Sequence, residues 1–195
     1  MQANKRTRRR SESSVWKGLA AGFVGGLAAS VVMNQFQARL GKLIVGGEKS
    51  HGAQSLQEGS PQHGIGRELQ KRGRDAAQDD AAERLANAIS VSVFDQELTK
   101  SGKDAGGTAL HYAYGISMGA AYGAAAELLP ISTIGVGLPY GALIWIAADE
   151  GVVPALGLSK TSAEYPLSIH AYALSSHLVY GLTTEIVRGV VRRAL

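Results

Sequence analysis

The 195-residue chain has no cysteine. That absence excludes a disulfide scaffold, thiol catalysis and any Cys-ligated zinc or iron–sulfur centre. Aromatic residues make up only 6% of it, and there are five prolines. Nowhere does H-E-x-x-H, G-x-S-x-G, a phosphate-binding loop or a dinucleotide fingerprint occur, so the common hydrolytic and nucleotide chemistries have no motif here. A basic stripe interleaved with stacking groups is also missing, and nucleic acid is not an expected partner despite a net charge of +4. What the chain does have is glycine, 25 residues of it, within a 45% apolar composition.

The charge is not spread evenly. Residues 1–17 carry six bases (Lys5, Arg6, Arg8, Arg9, Arg10, Lys17) against Glu12 alone. Residues 18–107 are balanced at ten of each sign, and residues 108–195 hold four bases and five acids. The surplus is therefore an N-terminal tag, followed at once by an apolar run.

Four stretches of about 20 residues match the thickness of a hydrocarbon core when helical. They are residues 15–33, 108–129, 133–153 and 166–186. The expected fold is all-α: a polytopic membrane protein with four transmembrane helices and an amphipathic helix in the long first loop. Residues 1–14 form a basic cytoplasmic tail, and 34–107 a long polar loop. Within that loop, residues 46–80 read as a mobile linker rich in Gly, Gln and Ser, with His51 and His63 solvated. Residues 80–98 follow helical spacing through Leu85, Ile89, Val93 and Phe94, with Asp79 or Asp80 as N-cap. That helix either lies on the bilayer surface or packs on the protein's own helices. Phe36, Leu40, Leu43 and Ile44 extend the first helix past the lipid. Pro139 is expected to kink the third span.

Basic residues precede the first span and close the fourth at Arg188, Arg192 and Arg193. The positive-inside rule then places both termini in the cytoplasm, with the turn between the second and third spans on the same side. The lipid bilayer is the expected partner.

Small residues recur every four positions: Gly18, Gly22, Gly26 and Ser30; then Gly115, Gly119 and Gly123; then Gly137 and Gly141. Gly181 is followed by Gly189. Such stripes let helix backbones approach closely in lipid. They serve packing within the chain or association of copies into a homo-oligomer. His111, Glu127, Asp149, Glu150, His170, His177 and Glu185 lie in or at the ends of the spans, largely on the same faces as the glycines. Ionisable groups at membrane depth are costly, which makes them a candidate polar cluster for moving a proton or cation. The competing reading is that they pair with one another and fix helix register. No catalytic residue, cofactor or metal-ligand spacing emerges.

The runs ALHYAYGISMGAAYGAAAELLP (109–130), GLPYGALIWIAADEGVVPALGLSK (137–160) and EYPLSIHAYALSSHLVYGLTTEIVRGVVRR (164–193) together resemble the YagU-like bacterial inner-membrane proteins, over roughly residues 105–195. The resemblance implies a multi-pass protein of the cytoplasmic membrane. It supplies no ligand, cofactor or catalytic residue. Three functions follow in order: a structural, accessory or envelope-stress role; a proton- or ion-coupled transporter or channel; and, weakest, a membrane-embedded metalloenzyme.

Overall fold

A computed structural model describes residues 2–45, 59–74 and 78–195. His51 and most of the linker expected to be mobile lie outside them. So do the side chains of residues 2–13 and 41–45, including those of the basic tail and of Leu43 and Ile44.

The described residues are helical, without strands. The order is α1 (Gln2–Val45), α2 (Gly64–Lys71), α3 (Ala81–Phe94), α4 (Lys100–Leu128), a 3-10 turn (Pro130–Thr133), α5 (Leu138–Ala147), a π turn (Ala148–Val152), α6 (Val153–Ala155), a second 3-10 turn (Ser162–Glu164) and α7 (Leu167–Ala194). Among the described residues one helical segment, Ser14–Leu40 in α1, is long and apolar enough to cross a membrane by itself.

The helices overrun the apolar stretches that announce them. α1 continues into Gln37 and Arg39, α4 begins eight residues before 108, and α7 runs eight past 186. Hydropathy marks which part of a helix suits lipid, not where its hydrogen bonds stop.

The stretch 133–153 is not one helix. Gly135, Val136 and Gly137 all have positive φ, at 79°, 54° and 81°, and break it before α5 begins. Pro139 therefore does not kink a span. It sits at the second position of α5, where a missing N–H costs nothing. The stretch then loosens into the π turn at Asp149 and Glu150.

Residues 59–74, expected to be mobile, hold a helix. Gly-Ile-Gly-Arg reads as a turn, but the first amides of α2 find distant acceptors: Ile65 N–H donates to Leu156 O (3.0 Å) and Gly66 N–H to Gly157 O (2.8 Å). A non-local cap of this kind leaves no local signal. Leu69 is buried beneath it.

α3 ends at Phe94, four residues short of the expected 98, with Asp95 in the left-handed region closing it. At its start Asp80 accepts from Glu83 N–H (2.8 Å) while Glu83 accepts from Asp80 N–H (2.9 Å), a complete capping box. Its orientation inverts that of a soluble amphipathic helix. Glu83, Arg84 and Asn87 are buried, whereas Ile89, Val93 and Phe94 are exposed.

The chain divides into two compact units. The first comprises residues 1–33, 113–142 and 178–195. Its seam is made of glycine. A Cβ on Gly119 would lie 2.5 Å from the Gly26 Cα, one on Gly22 would lie 2.8 Å from the Gly123 Cα, and one on Gly18 would overlap the Gly123 carbonyl. Gly115 faces the Ser30 side chain, and Gly137 and Gly141 meet Gly181. Gly189 has nothing nearby. These stripes face each other within one chain.

The second unit comprises residues 34–112 and 143–177. Tyr172 and Ala173 are buried there, with Leu40 and Trp145 packed on them. The Tyr172 hydroxyl donates to the Gln37 carbonyl (3.0 Å).

Candidate functional site

The seven ionisable groups singled out in the sequence do not form one cluster. In the first unit Glu127, on α4, receives both Arg192 Nε (2.6 Å) and Nη2 (3.0 Å) from α7. The Ser14 hydroxyl of α1 also donates to this carboxylate, and Arg192 Nη2 donates to Ser14 Oγ (3.1 Å). A two-pronged guanidinium–carboxylate bond with a third helix attached fixes register as well as neutralising charge. Glu185 is gripped in the same way by Arg188 of its own helix, at 2.6 and 2.7 Å. Arg188 reaches over Tyr122, whose ring stacks on Tyr140 at 4.3 Å. The Tyr140 and Tyr180 hydroxyls donate to the carbonyls of Met118 (2.6 Å) and Gly115 (2.5 Å).

The second unit holds two His–carboxylate pairs on the π turn. Widening a helix by one residue lets consecutive residues, Asp149 and Glu150, address different partners on α7. His170 Nδ1 lies 2.7 Å from Glu150 Oε1, and its Nε2 lies 3.1 Å from the Ser162 carbonyl. Both neighbours are acceptors, so the ring serves both only when it carries two protons. Trp145 stands edge-on to the same ring, 6.5 Å between centroids. His177 Nδ1 donates to Ala173 O (2.9 Å) and is 3.8 Å from Asp149 Oδ2, too far for a hydrogen bond but close enough for attraction. Asp149 and His177 are both buried. His111 is half-buried and edge-on to Tyr112, whose hydroxyl accepts from Asn34 (3.0 Å). His63 is not simply solvated, since its Nε2 lies 2.7 Å from Pro154 O.

Sequence reading missed the polar interior around α3. Lys103 pairs with Asp79 at 2.8 Å, with side chains only 7% and 1% exposed. Lys100 meets Glu83 at 2.7 Å. Burial pushes the Glu83 carboxyl up from the usual 4.5 to about 7, against the pull of Lys100. Burial alone would lower Lys103, but Asp79 and Glu97 outweigh it and hold it above its ordinary value. Arg84 donates to the Leu158 (3.0 Å) and Gly59 (3.3 Å) carbonyls. Asn87 donates to Arg74 O (2.8 Å) and accepts from Leu98 N–H (3.0 Å), tying two connecting segments to the helix. Charged residues in a polar linker read as solvated, and only their return onto one helix reveals this role. Gln37 and the Trp145 indole N–H were likewise not foreseen. The Gln37 side-chain amide and the indole N–H are buried without a hydrogen-bond partner among the described residues.

The family model described as "Protein of unknown function (DUF1440)" matches residues 73–186. The chain belongs to that family. The DUF1440 match takes in α3, the buried ion pairs of α4, both His–carboxylate pairs and Glu127, and it stops short of Arg188 and Arg192. No curated protein and no solved structure matches the chain. Among the described residues no three His, Asp or Glu side chains converge in a way that could hold a metal ion. The metalloenzyme reading has no geometric support from these residues.

Proposed function

We propose that this DUF1440 member is a small multi-pass protein of the bacterial cytoplasmic membrane, with four helical passes, both termini cytoplasmic, and a structural or accessory role in the envelope. The observation that carries the reading is an inverted distribution of side chains. On α1, Phe23, Val24, Leu27, Val31 and Val32 face outward, Phe23 with 47% of its surface exposed, while Gly22, Gly26, Ala29 and Ser30 are buried. On α7, Ile186 and Val190 face outward while Ser176, Tyr180 and Thr184 are buried. In water this arrangement would forfeit the burial that stabilises a globular protein. In lipid, small residues and hydroxyls at the seam and large apolar ones outside are the expected order. The likeness of residues 105–195 to the YagU-like inner-membrane proteins and the basic residues flanking α1 and ending α7 support the same placement.

The pairing of the ionisable groups favours a structural role. Glu127, Glu150 and Asp149 each face a cation or a histidine on another element, which lets carboxylates sit between helices as register pins, and Glu185 is neutralised by Arg188 of its own helix. Self-association, where it occurs, uses surfaces other than the glycine seams, which face one another within the chain. Reporter fusions to the two ends test the topology. Activity of cytoplasmic reporters at both ends is expected, and a periplasmic C-terminus would refute the four-pass reading.

A second reading, proton- or ion-coupled transport, is favoured by the π turn alone, with its two adjacent His–carboxylate pairs. Proton flux in proteoliposomes decides it. A flux lost in His177→Ala supports transport; no flux above empty vesicles leaves the structural role.

A further inference from the structure

We propose that the link between α4 and α5, residues 128–138, is seated in the apolar layer of the bilayer against α7 instead of folding into water as a hairpin loop. The inference rests on the membrane reading above and goes beyond it, since a turn at the end of a span would ordinarily lie among headgroups or in the cytoplasm.

Four observations within the first unit carry it. The first is composition. No charged residue occurs from 128 to 148. The second is exposure. Leu128 and Leu129 (60% each), Ile131 (72%), Ile134 (67%) and Val136 (52%) all point away from the protein. A water-facing loop of this length rarely exposes five large apolar side chains within nine residues.

The third is the backbone. Non-helical chain at membrane depth is penalised for each N–H and C=O that water no longer serves. Here Leu129 N–H completes α4 on Ala125 O (2.7 Å), and the link then bonds to itself in successive tight turns: Ser132 to Leu129, Ile134 to Ile131, Val136 to Thr133 and Leu138 to Gly135, all between 2.9 and 3.2 Å. Pro130 has no N–H to satisfy. The Tyr122 hydroxyl serves the Ser132 carbonyl at 3.4 Å.

The fourth is depth. Glu127, at the end of α4, is level with Arg192 of α7, to which it is bonded. Gly137, at the other end of the link, lies against Gly181 and the Glu185 side chain; a Cβ there would sit 3.0 Å from Glu185 Cβ. Gly181 precedes Arg192 by eleven residues, about 16 Å along a helix. The link therefore runs back down the bundle wall from a charged level towards the interior of the span. Its left-handed residues Gly135, Val136 and Gly137 make that close approach to α7 possible. Lipid is the occupant this surface fits, because its large exposed side chains are all hydrocarbon and the chain supplies much of its own hydrogen bonding.

The cysteine-free sequence permits a direct test on the full chain. Ile131→Cys and Ile134→Cys, both at exposed positions, are labelled with bimane and reconstituted in phosphatidylethanolamine/phosphatidylglycerol vesicles. Phe23→Cys on α1 and Lys71→Cys on α2 serve as references. Lipids spin-labelled on the acyl chain are expected to quench both link labels several-fold more than the Lys71 label, and iodide supplied to both faces to do the reverse. Link labels quenched by iodide as strongly as Lys71, with Phe23 still quenched by lipid, would overturn the inference and spare the membrane reading. Loss of lipid quenching at Phe23 as well would sink both. Efficient disulfide cross-linking of Ile134→Cys between copies, with neither quencher reaching the label, would assign the surface to a second copy and overturn the inference.

Discussion

At the scale of single residues, the glycine seam makes the sharpest demand. A methyl at Gly22 or Gly119 meets backbone, which cannot rotate away, so α1 and α4 must separate. Gly119→Ala is expected to cost about 1–3 kcal/mol, as overpacking does. Gly189→Ala meets nothing within 4 Å and is expected to gain up to about 1 kcal/mol of helix propensity. Melting of the two variants in detergent should move in opposite directions; equal shifts would show that the seam is not tight. Glu83 makes a second prediction. Below pH 4.5 its carboxyl is protonated whether the chain is folded or not, and its contribution to stability is fully present. Between 4.5 and about 7 the unfolded chain ionises first, so the contribution is lost as pH rises. Glu83→Gln should flatten the fall in stability across that window in pH-dependent melts, and an unchanged slope would reject the role given to this group.

At the scale of elements, α3 and the start of α4 act together. Lys103 is the nearest cation to the buried Asp79 carboxylate. Lys103→Met is expected to destabilise the second unit by about 3 kcal/mol, the cost of breaking a buried pair from one side. A denaturation midpoint unchanged from wild type would contradict this. The link offers a milder case. Val136 is β-branched at φ 54°, a region that costs such residues about 1–2 kcal/mol. Val136→Gly is expected to raise the melting temperature, and a drop would mean that the side chain's lipid contact outweighs the strain. These elements also mark how far the sequence could be read. The apolar stretches, an N-cap at Asp79 or Asp80 and the glycine stripes were legible because period and cap chemistry are local. The π turn, the helix in residues 64–71 and the broken third span were not. Each depends on a partner far along the chain: Leu156 and Gly157 for α2, His170 and His177 for the π turn, Gly181 for the link. The candidate site was legible as a set of residues but not as pairs. Glu127 and Glu185 could be seen to share the glycine faces, yet nothing local said that Arg192 and Arg188 would claim them.

At the scale of the whole molecule, the surface and the interior have exchanged their usual contents. Arg84, Asn87, Gln37 and Thr184 are among the largest fully buried side chains, while Phe23, Phe94, Ile131 and Leu143 are exposed. The protein's solvent, on this account, is lipid over much of its surface and water around α2. Alkaline carbonate extraction of membranes from cells expressing the full chain tests that claim most directly. The account predicts that the protein stays in the membrane pellet and leaves it only with detergent. Recovery in the carbonate supernatant, or as a soluble protein before extraction, would contradict it.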